Sequence, residues 1–137
     1  MTRKTNLTRI AEIWRSFRAL PLWVQIWVAL VLLPVNLLSL AFVDQHNGLL
    51  IALLAVGGMA PNIVIMLAER GLSRLMALPH VLIWTPLIVI VWQTLGTASQ
   101  GYAGFLWLLL AVDLCSLAFD YLDVLKWWRG ARTVAGK

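Results

Sequence analysis

None of the eleven Lys and Arg residues falls inside a long apolar run, and two of the connections between such runs hold none at all. Charge is scarce throughout. Only 12% of the residues are charged and 61% are apolar, whereas a soluble domain is about a quarter charged and about half apolar. The single cysteine, Cys115, excludes an intramolecular disulfide and an all-cysteine metal site. Within its apolar run it reads as a small buried residue. No Lys lies in an apolar run, so a retinal-type Schiff base has no point of attachment. There is no glycine-rich phosphate loop, nucleophile elbow or H-E-x-x-H helix. His46 and His80 are expected at opposite membrane boundaries, so one chain cannot bring both onto one haem. No motif implies a metal or another cofactor.

What remains is apolar sequence in four blocks, 20–43, 48–68, 78–95 and 102–125. Each is near the roughly 20 residues that a helix needs to cross the hydrocarbon core. None alternates polar with apolar residues, which argues against strands. The first block lies well inside the chain and lacks an A-x-A cleavage pattern, so it reads as a retained span rather than a signal peptide. Short connections make successive helices antiparallel neighbours. The expected fold is therefore an all-α integral membrane protein, one domain over 1–137, with four transmembrane helices in an up-down-up-down bundle.

The basic residues give this bundle a direction. Arg3, Lys4, Arg9, Arg15 and Arg18 precede the first block, Arg70 and Arg74 separate the second from the third, and Lys126, Arg129, Arg132 and Lys137 follow the fourth. Connections 44–47 and 96–101 carry none. Short cytoplasmic loops keep Lys and Arg, so both termini are expected in the cytoplasm, with the bacterial inner membrane the natural setting. The net charge of +5 then points to anionic lipid headgroups and not to nucleic acid. Trp23, Trp127 and Trp128 suit the inner interface and Trp92 and Trp107 the outer one, while Trp27 and Trp84 sit deeper.

Upstream of the first block, Leu7, Ile10, Ala11, Trp14 and Phe17 recur at helical spacing, interleaved with Arg9, Glu12, Arg15 and Arg18. Residues 7–18 thus read as an amphipathic interfacial helix, with Asn6 as N-cap and Pro21 as a stop. Residues 130–137 are expected to be a flexible tail.

Chemistry concentrates in the fourth block. Asp113, Ser116, Asp120 and Asp123 follow one another at spacings that place them on one helix face, rising about 15 Å. A central Asp costs about 2.5–3.5 kcal/mol and each Leu, Phe or Val returns about 0.3–0.6. The nine such residues from Phe105 to Phe119 roughly offset one deep carboxyl. The helix inserts, provided its acidic face looks into the bundle or into water.

Counting depth along the other blocks supplies partners. Asn36 and Gln93 come out level with Asp113, alongside Gly57 and Gly58, which permit close backbone approach. Asn62 and Thr85 come out level with Asp120, and His80 and Asp123 below them. Arg70, Arg74 or Lys126 stand ready to pair with Asp120 and Asp123. Pro34, Pro61 and Pro86 lie near these polar residues and are hinge candidates, because each frees a carbonyl one turn earlier.

The expected function is permeation or transport of a proton, a cation or a small polar solute along the Asp face, in an oligomer, since four helices enclose little volume alone. The alternative is a non-catalytic accessory or assembly subunit of a larger membrane complex, in which the same polar residues only fix helix register. A third reading, a lipid-diphosphate enzyme built on Asp120 and Asp123, lacks the further carboxylates such sites use. Reporter fusions at the two ends test the topology: both are expected to report a cytoplasmic location, and an external signal from either would overturn it.

Overall fold

The computed structural model describes residues 2–136, with side chains from Thr8 onward. The side-chain expectations for Arg3, Lys4, Asn6, Leu7 and Lys137 lie outside the described residues. Among those described the chain is helical, without a β-sheet, and four helices are long and apolar enough to cross a membrane. They run Leu22–Phe42, Gly48–Glu69, Arg74–Leu95 and Gln100–Trp128, and are called the first to fourth spans. The third pairs closely with the second and with the fourth, while the first leans on the second and fourth. Ile51, Ala55, Trp84, Leu87, Leu106 and Leu109 fill the centre. Leu30, Leu53, Val64 and Leu82 on the outside are each 62–70% exposed, an apolar exterior suited to lipid.

A helix over Thr2–Arg18 precedes the spans and continues past Asn6, which is therefore not its N-cap. Glu12 reaches Arg70 at 3.6 Å. Ile10 and Trp14 face away from the protein, 59% and 62% exposed, giving the helix an uncovered apolar edge. Pro21 then starts the first span. Gln25 closes the corner: its Nε2 donates to the carbonyls of Leu20 and Arg18, and its Oε1 accepts from Arg18 Nη1. These carbonyls would otherwise lack donors between two helices.

The first span is not uniform. It passes from an α-turn into a π-helical segment, Trp27–Leu32, then back to α and ends in a 3-10 turn, Ser39–Phe42. Pro34 explains the change. It has no N–H, and its ring would collide with the carbonyl four residues earlier. The preceding turn widens, so that Leu33 N–H bonds Val28 O, five residues back. Pro61 and Pro86 sit inside helices that run on without such a change.

Two connections without basic residues meet at one end. Tyr102 OH donates to the His46 carbonyl, and Asn47 Nδ2 donates to Thr94 Oγ1. Asn47 adopts a left-handed conformation, and Gly48 follows because a Cβ there would strike the Phe42 carbonyl. The basic connection lies at the other end, against the leading helix. The chain's last residues join it there. Ser16 Oγ accepts from Leu72 N–H and donates to the Ala135 carbonyl, Ala135 N–H bonds Leu72 O, and Val134 bridges to Ser73. The tail expected to fray is instead held across the Leu72–Ser73 connection, because Ser16 offers both a donor and an acceptor to backbone left open by the turn.

Gly57 and Gly58 part company. A Cβ on Gly58 would collide with Trp84 Nε1, whereas one on Gly57 would meet nothing within 4 Å. The Trp84 indole, fully buried, lies over Gly58 and donates to the Ala55 carbonyl. Gly58→Ala should cost about 1–3 kcal/mol through overpacking, and Gly57→Ala should be neutral or stabilising by up to about 1 kcal/mol. Thermal unfolding of the purified variants in detergent reads the difference.

Candidate functional site

The fourth span carries its acidic face inward. Asp113 is completely buried, Ser116 and Asp120 nearly so, and Asp123 is half-buried. Each buried carboxyl has found a partner on another span. Asn36 Nδ2 donates to Asp113 Oδ1 at 2.8 Å and to the Leu32 carbonyl at 2.9 Å. The second of these bonds supplies a donor at the end of the π segment. Asn36 Oδ1 and Asp113 Oδ2 stay buried without any partner.

One to two turns towards the basic end, Asp120, His80 and Asn62 join the fourth, third and second spans. His80 Nδ1 lies 3.1 Å from Asp120 Oδ2, and Asn62 Nδ2 lies 3.1 Å from His80 Nε2. An amide nitrogen can only donate, so in this arrangement Nε2 accepts and the Nδ1 proton is given to Asp120. Ser116 Oγ donates to the same Oδ2 at 3.0 Å. The His80 ring lies flat on Trp84, centroids 4.0 Å apart and planes 4° from parallel, which fixes its orientation. Asn62 Oδ1 is buried with no donor.

These residues stand at the deep end of a cleft of about 630 Å³. One wall is the first span from Trp23 to Leu32, the other is Phe119 to Lys126 of the fourth, and Ala135 and Gly136 of the held tail close part of its mouth. Arg74 and Lys126 also line the cleft, and Arg74 Nε lies 3.5 Å from Asp123. The expected pairing of Arg74 with Asp123 is thus present, whereas Asp120 turns to His80. Beyond Asp113, Leu106, Leu109 and Val91 pack without exposure. The cleft is open at the basic end and closed above.

Two expected members are not in the site. Gln93 is exposed on the outside of the third span, and Thr85 is exposed and bonded to Tyr121 OH. Depth counting gives height along a helix but not direction around it. Apart from Pro79, the buried residues of the third span are Ala77, His80, Trp84, Leu87, Val91 and Thr94, at spacings of three and four. That row passes through His80 and Thr94, the polar residues that belong to the interior, and misses Thr85 and Gln93. His80, expected below the layer, is its central member. Cys115, expected to be buried, is exposed, since it stands one position off the inward Ser116. Pro34 and Pro86 face outward. Pro34 acts on the site through the backbone, by shaping the segment that Asn36 follows. Among the described residues, no group of three or more His, Cys, Asp or Glu is placed to hold a metal ion.

The Asn36–Asp113 bond can be weighed by thermal unfolding in detergent. Asn36→Leu should cost about 1–3 kcal/mol, because it strips a buried carboxyl of its donor. Asn36→Leu combined with Asp113→Leu should recover most of that loss, since apolar groups have no partners to miss. No family model, curated protein or solved structure matches the chain.

Proposed function

We propose that the chain is an integral protein of a bacterial inner membrane, an up-down-up-down bundle forming one domain with both termini cytoplasmic. In this reading it moves a proton, a cation or a small polar solute along the acidic face of its fourth span. The observation that carries the reading is the stacking of two buried, hydrogen-bonded carboxyls on that face, Asp120 beside an open cleft and Asp113 sealed above it. Deep ionisable groups are costly in a membrane and tend to mark pathways. The positive-inside pattern supports this orientation, and Arg15, Arg18, Lys126 and Arg129, all exposed at the cleft's end of the bundle, suit anionic headgroups there.

The Asn62–His80–Asp120 chain suits proton traffic. Turning the Asn62 amide over would present Oδ1 to a doubly protonated His80, so the site can take up a proton without moving the backbone. The first span is the natural moving part. It forms the cleft wall, it holds Asp113 through Asn36, and its π segment makes up the part of that wall next to Asn36. Swinging that wall would open the sealed half.

A second reading, an accessory subunit or a homo-oligomer without transport, draws support from Gln93. Its amide faces outward from an apolar surface, where a helix of another chain would satisfy it.

Reconstitution into liposomes separates the two. Asp113→Asn keeps an acceptor for Asn36 but cannot exchange a proton. It should leave the melting temperature unchanged while proton- or cation-dependent flux falls to the level of empty vesicles. Absence of flux in the unaltered protein, with oligomerisation lost in Asp113→Asn, would favour the assembly subunit.

A further inference from the structure

The polar atoms left open at the deep end of the cleft are acceptors. Asp120 receives both of its donors on Oδ2, which leaves Oδ1 free. Asn62 lines the cleft, is only 7% exposed, and keeps Oδ1 without a donor. Both ring nitrogens of His80 are engaged. Arg74, a cation of the cleft lining, is drawn to Asp123. One oxygen of a buried carboxylate and a buried amide oxygen therefore lack donors, and with His80 a neutral ring giving its Nδ1 proton the carboxylate has no cation among its hydrogen-bond partners. Beside Asn62 and Asp120 an anion would meet open acceptors, the cleft's cations being Arg74, held by Asp123, and Lys126, six residues further along the fourth span. For a metal ion, no group of three or more His, Cys, Asp or Glu is gathered among the described residues, and the second carboxylate of the cleft, Asp123, is engaged by Arg74.

The walls narrow the choice. Trp23, Trp27 and Phe119 line the space, with the Trp23 and Phe119 rings 5.9 Å apart. Aromatic faces attract cations and cover apolar groups. A volume of about 630 Å³ suits a small organic molecule. We infer that the cleft binds a hydrophobic primary or secondary ammonium, its N–H groups donating to Asn62 Oδ1 and Asp120 and its apolar body lying on Trp27 and Phe119. This names the solute class of the transport site proposed above and rests on that reading. The same chemistry is offered by a free amine and by the headgroup of an aminophospholipid.

The test is calorimetric titration of the full chain in phosphatidylcholine nanodiscs, where no lipid carries an N–H donor and no gradient is applied. Phenethylammonium should bind saturably. Phenethyl alcohol, which lacks the charge, and trimethylphenethylammonium, which lacks the N–H groups, should each bind about tenfold more weakly or worse. Asp120→Asn and Asn62→Leu should each weaken phenethylammonium by about tenfold, and the outward Gln93→Leu should not change it. Repeating the titration with phosphatidylethanolamine separates the sources: competition assigns the site to the headgroup, and undiminished binding assigns it to a free amine. Equal binding of the three probes, no saturable binding of any, or indifference to Asp120→Asn would overturn the inference. The probe comparison needs no variant, so a folding defect cannot obscure it. Failure here would leave the flux measurements standing, because binding is read without transport.

Discussion

A polar group carried into an apolar bundle must meet another, and the fourth span carries two carboxyls there. That constraint organises the molecule. Asp113 fixes the first span through Asn36. Asp120 fixes the third through His80 and, through His80, the second at Asn62. Each neighbouring span is thereby tied to the buried face of the fourth at a defined height, the second by way of His80. Apolar packing alone is tolerant of small shifts along a helix axis, since one Leu fills a gap much as another does. A hydrogen bond of 2.8 Å is not. Translating a span by one residue would move Asn36 about 1.5 Å along the axis and swing it about a quarter-turn, away from Asp113.

The two halves of the bundle meet this constraint differently. Around Asp113, the first span is drawn in and the surrounding Leu and Val side chains exclude solvent. Around Asp120, the carboxyl takes its partners from the third span and from Ser116 on its own helix, and the first span contributes none. Nothing polar draws the lower part of the first span inward. Pro34 adds to the asymmetry by widening the turns below it. A cleft opens where the polar ties omit one helix, and it closes where they include it.

What the sequence could disclose follows from the range over which each signal acts. Span number and the segregation of basic residues are written in local composition, and four sufficiently long helices stand within a few residues of their expected places. The inward acidic face followed from spacing within one helix, and so was legible. Its partners depended on which way the other helices face. For the third span the direction was also encoded, in the row from Ala77 to Thr94, but a row of mostly apolar residues in an apolar helix stands out poorly. Height alone therefore selected Gln93 and Thr85, passed over Thr94 and left His80 below its true layer. The difference between Gly57 and Gly58 was hidden, because it depends on where the Trp84 ring falls on another helix. The held tail was hidden too, since Ser16, more than a hundred residues away, supplies its anchor.

The atoms left without partners carry the last step. Among the described residues at the level of the two carboxyls, the buried unpaired atoms are Asn36 Oδ1, Asp113 Oδ2 and Asn62 Oδ1. All three are acceptors. A network that existed only to fix helix register would be expected to pair its donors and acceptors within itself, since each orphan costs about 1–3 kcal/mol. An interior with an excess of acceptors of one kind is short of protons or of N–H and O–H groups. Chloride, phosphate or a carboxylate would deepen the deficit, while a proton, a water molecule or an ammonium group would relieve it. In the transport reading proposed above, this excess would let the acidic face select by hydrogen-bond polarity as well as by charge. The excess of acceptors occurs at both levels of the fourth span, Asp120 lining the cleft and Asp113 fully buried against the first span.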